Sequence, residues 1–203
     1  MSSGRLLDRE ALRRAFDLLA EKLAKRSIVG ELHVFGGAAM VLAFDSRAAT
    51  RDVDALFRPD GPVLEAAREV ARELGLPNSW LNNQASAYVS GRAGRGTTVY
   101  DHPNLRVLTT PPEHLLAMKV RAAGAARDAE DVTLILDRLG IRTLQEVESI
   151  VERFFPDEPL SRRSRQMVED LLHSQSSETE AQAAAPDRDP RRRNFRGGAN
   201  GST

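Results

Sequence analysis

Two aspartates separated by a single residue, Asp52 and Asp54, stand in the stretch RDVDALF (51–57), which otherwise reads as a buried strand. Strand alternation puts both carboxylates on one face and Val53 and Ala55 on the other. Residues two apart on a strand are about 6.5–7 Å apart along it, so their side chains can lean together. Left alone, the two charges repel, and one carboxyl has to take up a proton. Mg²⁺, or Mn²⁺ in its place, removes that problem. It is a hard cation that accepts carboxylate oxygens and completes its shell with water and substrate phosphates. Two such ions about 3.5–4 Å apart stabilise both the attacking and the leaving oxygen of a phosphoryl transfer. Asp52 and Asp54 are therefore candidate metal ligands and candidate catalytic residues.

Gly36 and Gly37 lie between the apolar stretch ELHVF (31–35) and AAMVLAF (38–44). A strand that turns into a helix through two glycines presents bare backbone N–H groups at a helix N-terminus, a geometry suited to phosphate. Gly-Gly is also a common tight turn, and Asp-x-Asp a common strand edge. The case for a site rests on the two occurring together, in this order. Arg51 either steers phosphate or decorates the start of the strand. Far along the chain, Lys119 sits among Leu115, Leu116 and Met118 in a helical pattern, and only three of the 29 basic residues are lysines. A compact ammonium there suits a triphosphate, or its stem covers apolar surface and its head reaches water. Asp128 and Asp131 follow. Each has a structural reading, as a helix cap and as a partner of Arg127. Each can instead act as base for an attacking hydroxyl. Trp80 is a core aromatic or a platform for a nucleobase. His33, His102, His114 and His173 show no metal-ligand spacing and read as core or surface histidines, with His33 close enough to the glycines to line the site.

These residues need elements to hold them. Asp8 caps a first helix to about Arg26, with Leu12, Ala15, Phe16, Leu19 and Leu23 as its apolar stripe. Strands follow at 31–35 and 52–57, separated by the Gly-Gly helix and a polar loop. The turn RPDGP leads to a helix over 62–74 that stops at Gly75. ASAYVS, TTVYD and LRVLTT are candidate strands separated by GRAGRG and HPN turns. Thr110 with Glu113 makes a capping box for a helix through Lys119 to about Gly124. Helices follow over 128–139, from Thr143 to about Phe155, and from Ser161 to about His173. The expectation is an α+β fold, a small mixed sheet flanked by helices with a helical C-terminal part. One domain covers 1–173, with its core at about 30–140. From Ser174 onward the composition loses apolar periodicity and predicts a disordered tail ending in a basic cluster, Arg191 to Arg193 with Arg196.

Composition sets outer limits. The 203 residues suffice for one domain with a real core. With no cysteine, disulfides, thiolate metal sites and cysteine catalysis are excluded. The formal net charge of zero argues against a surface built wholly to coat nucleic acid, while leaving room for a local basic groove. No apolar run approaches a membrane span, so no membrane partner and a cytoplasmic location are expected.

Gly-Gly, a short helix and then SRAATRDVDALF resemble the nucleotidyltransferase fold of the DNA polymerase beta superfamily. The resemblance is to its AbiEii-like branch, which includes toxins of type IV toxin–antitoxin systems. Gly37 and Asp52 have 14 residues between them, with Arg47 and Thr50 in the gap, a spacing that suits this branch. LPNSWLNNQ (76–84) resembles a Trp-Leu-Asn-Asp segment of an uncharacterised subgroup, with Asn83 in place of the acidic residue. PPEHLLAMKVRAAGAARDAEDVTLIL (111–136) resembles the branch's lysine and acidic motifs, Lys119 matching the lysine and Asp128 and Asp131 the acids. The resemblance covers roughly residues 30–140. It implies an Mg²⁺-dependent transfer of a nucleoside monophosphate from an NTP to an acceptor hydroxyl. Asp52 and Asp54 would hold metal. Gly36, Gly37, Arg51, Lys119, Trp80 and Asn82 would bind nucleotide, and Lys119, Asp128 and Asp131 would assist catalysis. It also implies RNA, tRNA or protein as acceptor, and a cognate antitoxin as partner. A small-molecule acceptor, as in antibiotic nucleotidyltransferases, and a nucleotide-binding regulator without turnover are the alternatives.

Overall fold

The computed structural model describes residues 6–44, 48–84, 89, 94, 96–122 and 126–184, with backbone alone at 126–128 and 178–184. The order is α1 (Arg9–Ala24), β1 (Gly30–Phe35), α2 (Gly36–Ala39) continued by a π-helical turn (Met40–Phe44), β2 (Val53–Arg58), α3 (Asp60–Leu74), β3 (Leu81–Asn82), β4 (Thr97–His102), β5 (Leu105–Thr109), then α4 (Pro112–Ala122), α5 (Ala126–Leu139), α6 (Leu144–Phe154) and α7 (Arg162–Ala184). The strands form one mixed sheet in the order β3-β2-β1-β5-β4. β1 runs antiparallel to β2 and parallel to β5, β2 runs parallel to β3, and β4 runs antiparallel to β5. The expected α+β fold, a mixed sheet flanked by helices, is what the chain adopts.

Alternation sorts the sheet into two faces. Leu32, Val34, Ala55, Phe57, Leu105 and Val107 are almost wholly buried, and α1 and α3 pack together beside the sheet. Asp8 accepts the Ala11 N–H at 2.8 Å and starts α1 as its sequence predicts. The opposite side of the same strands carries Glu31, His33, Leu56, Arg58 and Arg106, all at least partly exposed. There His33 sits across from Leu56 and Leu108, and its Nε2 is 3.0 Å from Glu31. α3 begins at Asp60, two residues early. The Pro59 carbonyl accepts the Val63 N–H, so the expected turn forms the first turn of the helix.

The last four helices pack on one another. The predicted capping box at the start of α6 is present, with Thr143 accepting the Glu146 N–H while the Glu146 carboxylate accepts the Thr143 N–H. The one predicted at Thr110 is displaced. α4 starts at Pro112, and the Thr110 N–H is spent on the Val34 carbonyl, continuing the β1–β5 pairing past Thr109. The helix ending at His173 in the sequence reading continues to Ala184. In that stretch the hydroxyls of Ser174, Ser176 and Ser177 donate to carbonyls four residues back. Gln175, buried, donates to the Thr133 carbonyl of α5. Of the strand expected at 85–90 only Val89 is described, as a bend; the rest lies outside the described residues, as does 185–203. β3 went unpredicted because two residues carry no readable alternation. Among the described residues, no helix is long and apolar enough to cross a membrane.

His114 lies in this helical half, fully buried and stacked on Phe154 with ring centroids 4.7 Å apart. Burial lowers its pKa from 6.5 to about 4. Below pH 6.5 the unfolded chain takes up a proton that the folded chain refuses, so stability falls as the pH drops from 6.5 to about 4. The loss is about 3 kcal/mol at most. Urea unfolding at pH 7 and pH 4.5 checks this: the difference between the two shrinks in His114→Phe, and an unchanged difference would rule out His114 as its source.

Candidate active site

Gly36 opens α2 with φ +62°, a left-handed conformation that favours glycine. A Cβ added there would lie 3.2 Å from Asp54 Oδ2. The first glycine of the pair and the second aspartate therefore meet, which follows from register: Phe35, just before Gly36, pairs directly with Asp54 across the sheet. An alanine at position 36 meets both the backbone penalty, about 1–2 kcal/mol, and the crowded carboxylate. Gly36→Ala is expected to lower the melting temperature and to depress any activity of the site further than that loss explains. Thermal unfolding and activity measured on the same sample test it.

Asp54 is half-buried, and its pKa is raised above the ordinary carboxylate value, first by burial and then by the charge of Asp52. Asn82, its register partner on β3, opposes the shift with a side-chain hydrogen bond to the carboxylate. Asn82 is buried and also accepts the Gln84 N–H at 3.0 Å. It thus acts on Asp54, while Asn83, one residue on, is exposed and outside the strand. Asp52 precedes β2, is exposed, and lines a cleft of about 380 Å³ together with Gly37, Thr50, Arg51, Leu6 and Glu130. Arg51 is exposed and lines the same cleft.

The segment before α1 belongs to this site, a role its sequence did not reveal. Leu7 and Thr50 exchange backbone hydrogen bonds of 2.7 and 2.9 Å, Thr50 Oγ1 donates to the Asp52 carbonyl, and Arg9 donates to the Val41 carbonyl at 2.8 Å. Residues 7–9 thereby tie down both the π-helical turn and the stretch that carries Arg51 and Asp52. Long-range backbone pairing of this kind leaves no periodic signal.

The other predicted residues divide. Lys119 and Asp131 are each other's partners, Nζ to Oδ2 at 2.5 Å, with side chains only 9% and 6% exposed. The ammonium expected to reach phosphate is held by Asp131. The pair joins α4 to α5 in the interior. Trp80 is fully buried, with its indole N–H donated to the Ala67 carbonyl at 2.9 Å. It seals α3 against β3, and stacking on a base is overturned by that burial. Asp128 is on α5, where its side chain is not described. Arg47 lies outside the described residues.

The donor set fits an oxygen-loving divalent cation that shares its shell with substrate. Two carboxylates lie close enough for one to raise the pKa of the other, beside an amide and a glycine cradle that a Cβ would fill. Among the described residues, no group of three or more His, Asp or Glu side chains forms a metal cage. Mg²⁺ commonly uses one or two carboxylates plus phosphate oxygens and water, which matches this set. No protein-family model, curated protein or solved structure matches the chain.

Proposed function

We propose that the protein is an Mg²⁺-dependent nucleotidyltransferase, and the meeting of Gly36 with Asp54 is the observation that carries this reading. It joins a backbone suited to phosphate to a half-buried carboxylate whose raised pKa calls for a cation. The NTP phosphates bind at Gly36 and Gly37, with Arg51 steering them from the cleft wall. Asp52 and Asp54 hold the metal, and Asn82 fixes the Asp54 carboxylate. When bound, the metal supplies charge neutralisation and polarises the phosphate undergoing attack. An acceptor hydroxyl attacks the α-phosphorus and pyrophosphate leaves, with most of the rate coming from positioning. The Lys119–Asp131 pair keeps α5 in place behind the cleft.

The acceptor class, RNA including the tRNA 3′ end or a protein, rests on the family resemblance, as do the toxin role and an antitoxin partner. A second reading, a nucleotide-binding regulator without turnover, draws support from the amide of Asn82 standing beside Asp54 where a further carboxylate would strengthen the metal grip. Incubation with each α-labelled triphosphate, Mg²⁺, and total RNA, cell protein or small hydroxylated molecules separates them. Label transferred by the wild type and lost in Asp52→Ala with Asp54→Ala supports the transferase. Nucleotide binding without transfer to any acceptor sinks it in favour of the regulator.

A further inference from the structure

We infer that Glu130 is the catalytic base that takes the proton of the acceptor hydroxyl. This rests on the nucleotidyl-transfer reading and assigns a role it leaves open. Glu130 is exposed and lines the cleft of Gly37, Arg51 and Asp52. It also lines a neighbouring groove of about 750 Å³ along α5, formed with Phe44, Thr133, Leu134 and Arg138. Among the described residues it alone lines both openings. It stands where the groove meets the cleft that Asp52 lines.

Its neighbour Asp131 cannot take this part, because it is buried on Lys119. Helical geometry explains the division. Adjacent residues on a helix point about 100° apart. Asp131 falls on the side of the buried Ile135, four residues on, and Glu130 on the side of Leu134 and Asp137 that borders the groove. In the step itself, the Glu130 carboxylate accepts the hydroxyl proton as the acceptor oxygen forms its bond to the α-phosphorus. The bond from the α-phosphorus to the bridging oxygen breaks, and pyrophosphate carries away the electron pair.

The test compares Glu130→Gln, Glu130→Asp and wild type with an α-labelled triphosphate, Mg²⁺ and bulk RNA, alongside thermal unfolding. Glu130→Gln is expected to lose about 100-fold or more in kcat, with KM for the triphosphate within about threefold. Its melting temperature stays within about 2 °C, as for other exposed substitutions. Glu130→Asp recovers part of the rate. A wild type that transfers label while Glu130→Gln matches it within about threefold overturns the assignment and leaves the transferase standing. An equal fall in kcat accompanied by a large fall in melting temperature also overturns it, since that is a structural effect. A wild type that transfers nothing to RNA, nor to cell protein or small hydroxylated molecules supplied in its place, overturns both.

Discussion

Asp54→Asn raises the melting temperature of the free protein and removes its activity. The two effects share one cause. Burial and the charge of Asp52 raise the Asp54 pKa, so the folded state holds its proton more tightly than the unfolded one. As the pH rises through the ordinary carboxylate range, the unfolded chain releases the proton first and the fold loses stability. Asparagine keeps the shape and removes the charge, so the variant gains stability at neutral pH and loses this part of the pH dependence. Under the proposed function the same change also takes away a metal ligand, and transfer falls by about three orders of magnitude, the scale of several kcal/mol of transition-state stabilisation. The wild type gains stability when Mg²⁺ and triphosphate are added together, through mass action on the folded state, and Asp54→Asn does not. Differential scanning fluorimetry with and without Mg²⁺ and triphosphate reads all of this. A variant that melts lower than the wild type in the free state would refute the assigned strain at Asp54.

Lys119→Met and Asp131→Leu, made singly, each destabilise the fold by about 3–5 kcal/mol, because each breaks a buried ion pair and leaves its other half in the interior. The combination is far milder than the sum, since removing both partners replaces two desolvated charges with apolar volume. Urea unfolding of the four proteins gives the coupling directly. Additive losses would mean that the pair seen at 2.5 Å contributes nothing to stability. Activity follows a different order. The double variant retains the fold but loosens α5, and with it Glu130, so its transfer rate falls while its stability recovers.

Much of this could be read from the chain before its structure. The stripe Leu12, Ala15, Phe16, Leu19 and Leu23, the alternation of ELHVF and DVDALF, and the glycine stops at 75 and 140 all have strong local causes, and the elements appear where those causes place them. The pairing of the Gly-Gly turn with Asp-x-Asp was also legible, because the first follows the end of β1 and the second opens its antiparallel neighbour β2. What escaped was non-local. Lys119 and Asp131 each had an apolar neighbourhood and a catalytic motif to explain them, and nothing in a one-dimensional pattern says that two such charges neutralise each other. Glu130 was hidden between two acids that matched a motif, although the helical period of Val132, Ile135 and Leu136 already turns it away from the core. Residues 7–9 reached the site through backbone bonds, which any sequence can make. Past His173, α7 is docked on α5 by one buried glutamine, Gln175, a contact that composition averages away.

The central claim is that this cleft moves a nucleoside monophosphate and releases pyrophosphate. The most direct measurement supplies the same triphosphate labelled at the α- or at the γ-phosphorus, with Mg²⁺ and bulk RNA, to wild type and Asp52→Asn. The account predicts α-label on the acceptor, γ-label in pyrophosphate, and neither in the variant. Appearance of γ-label on the acceptor, or equal activity in Asp52→Asn, would contradict it.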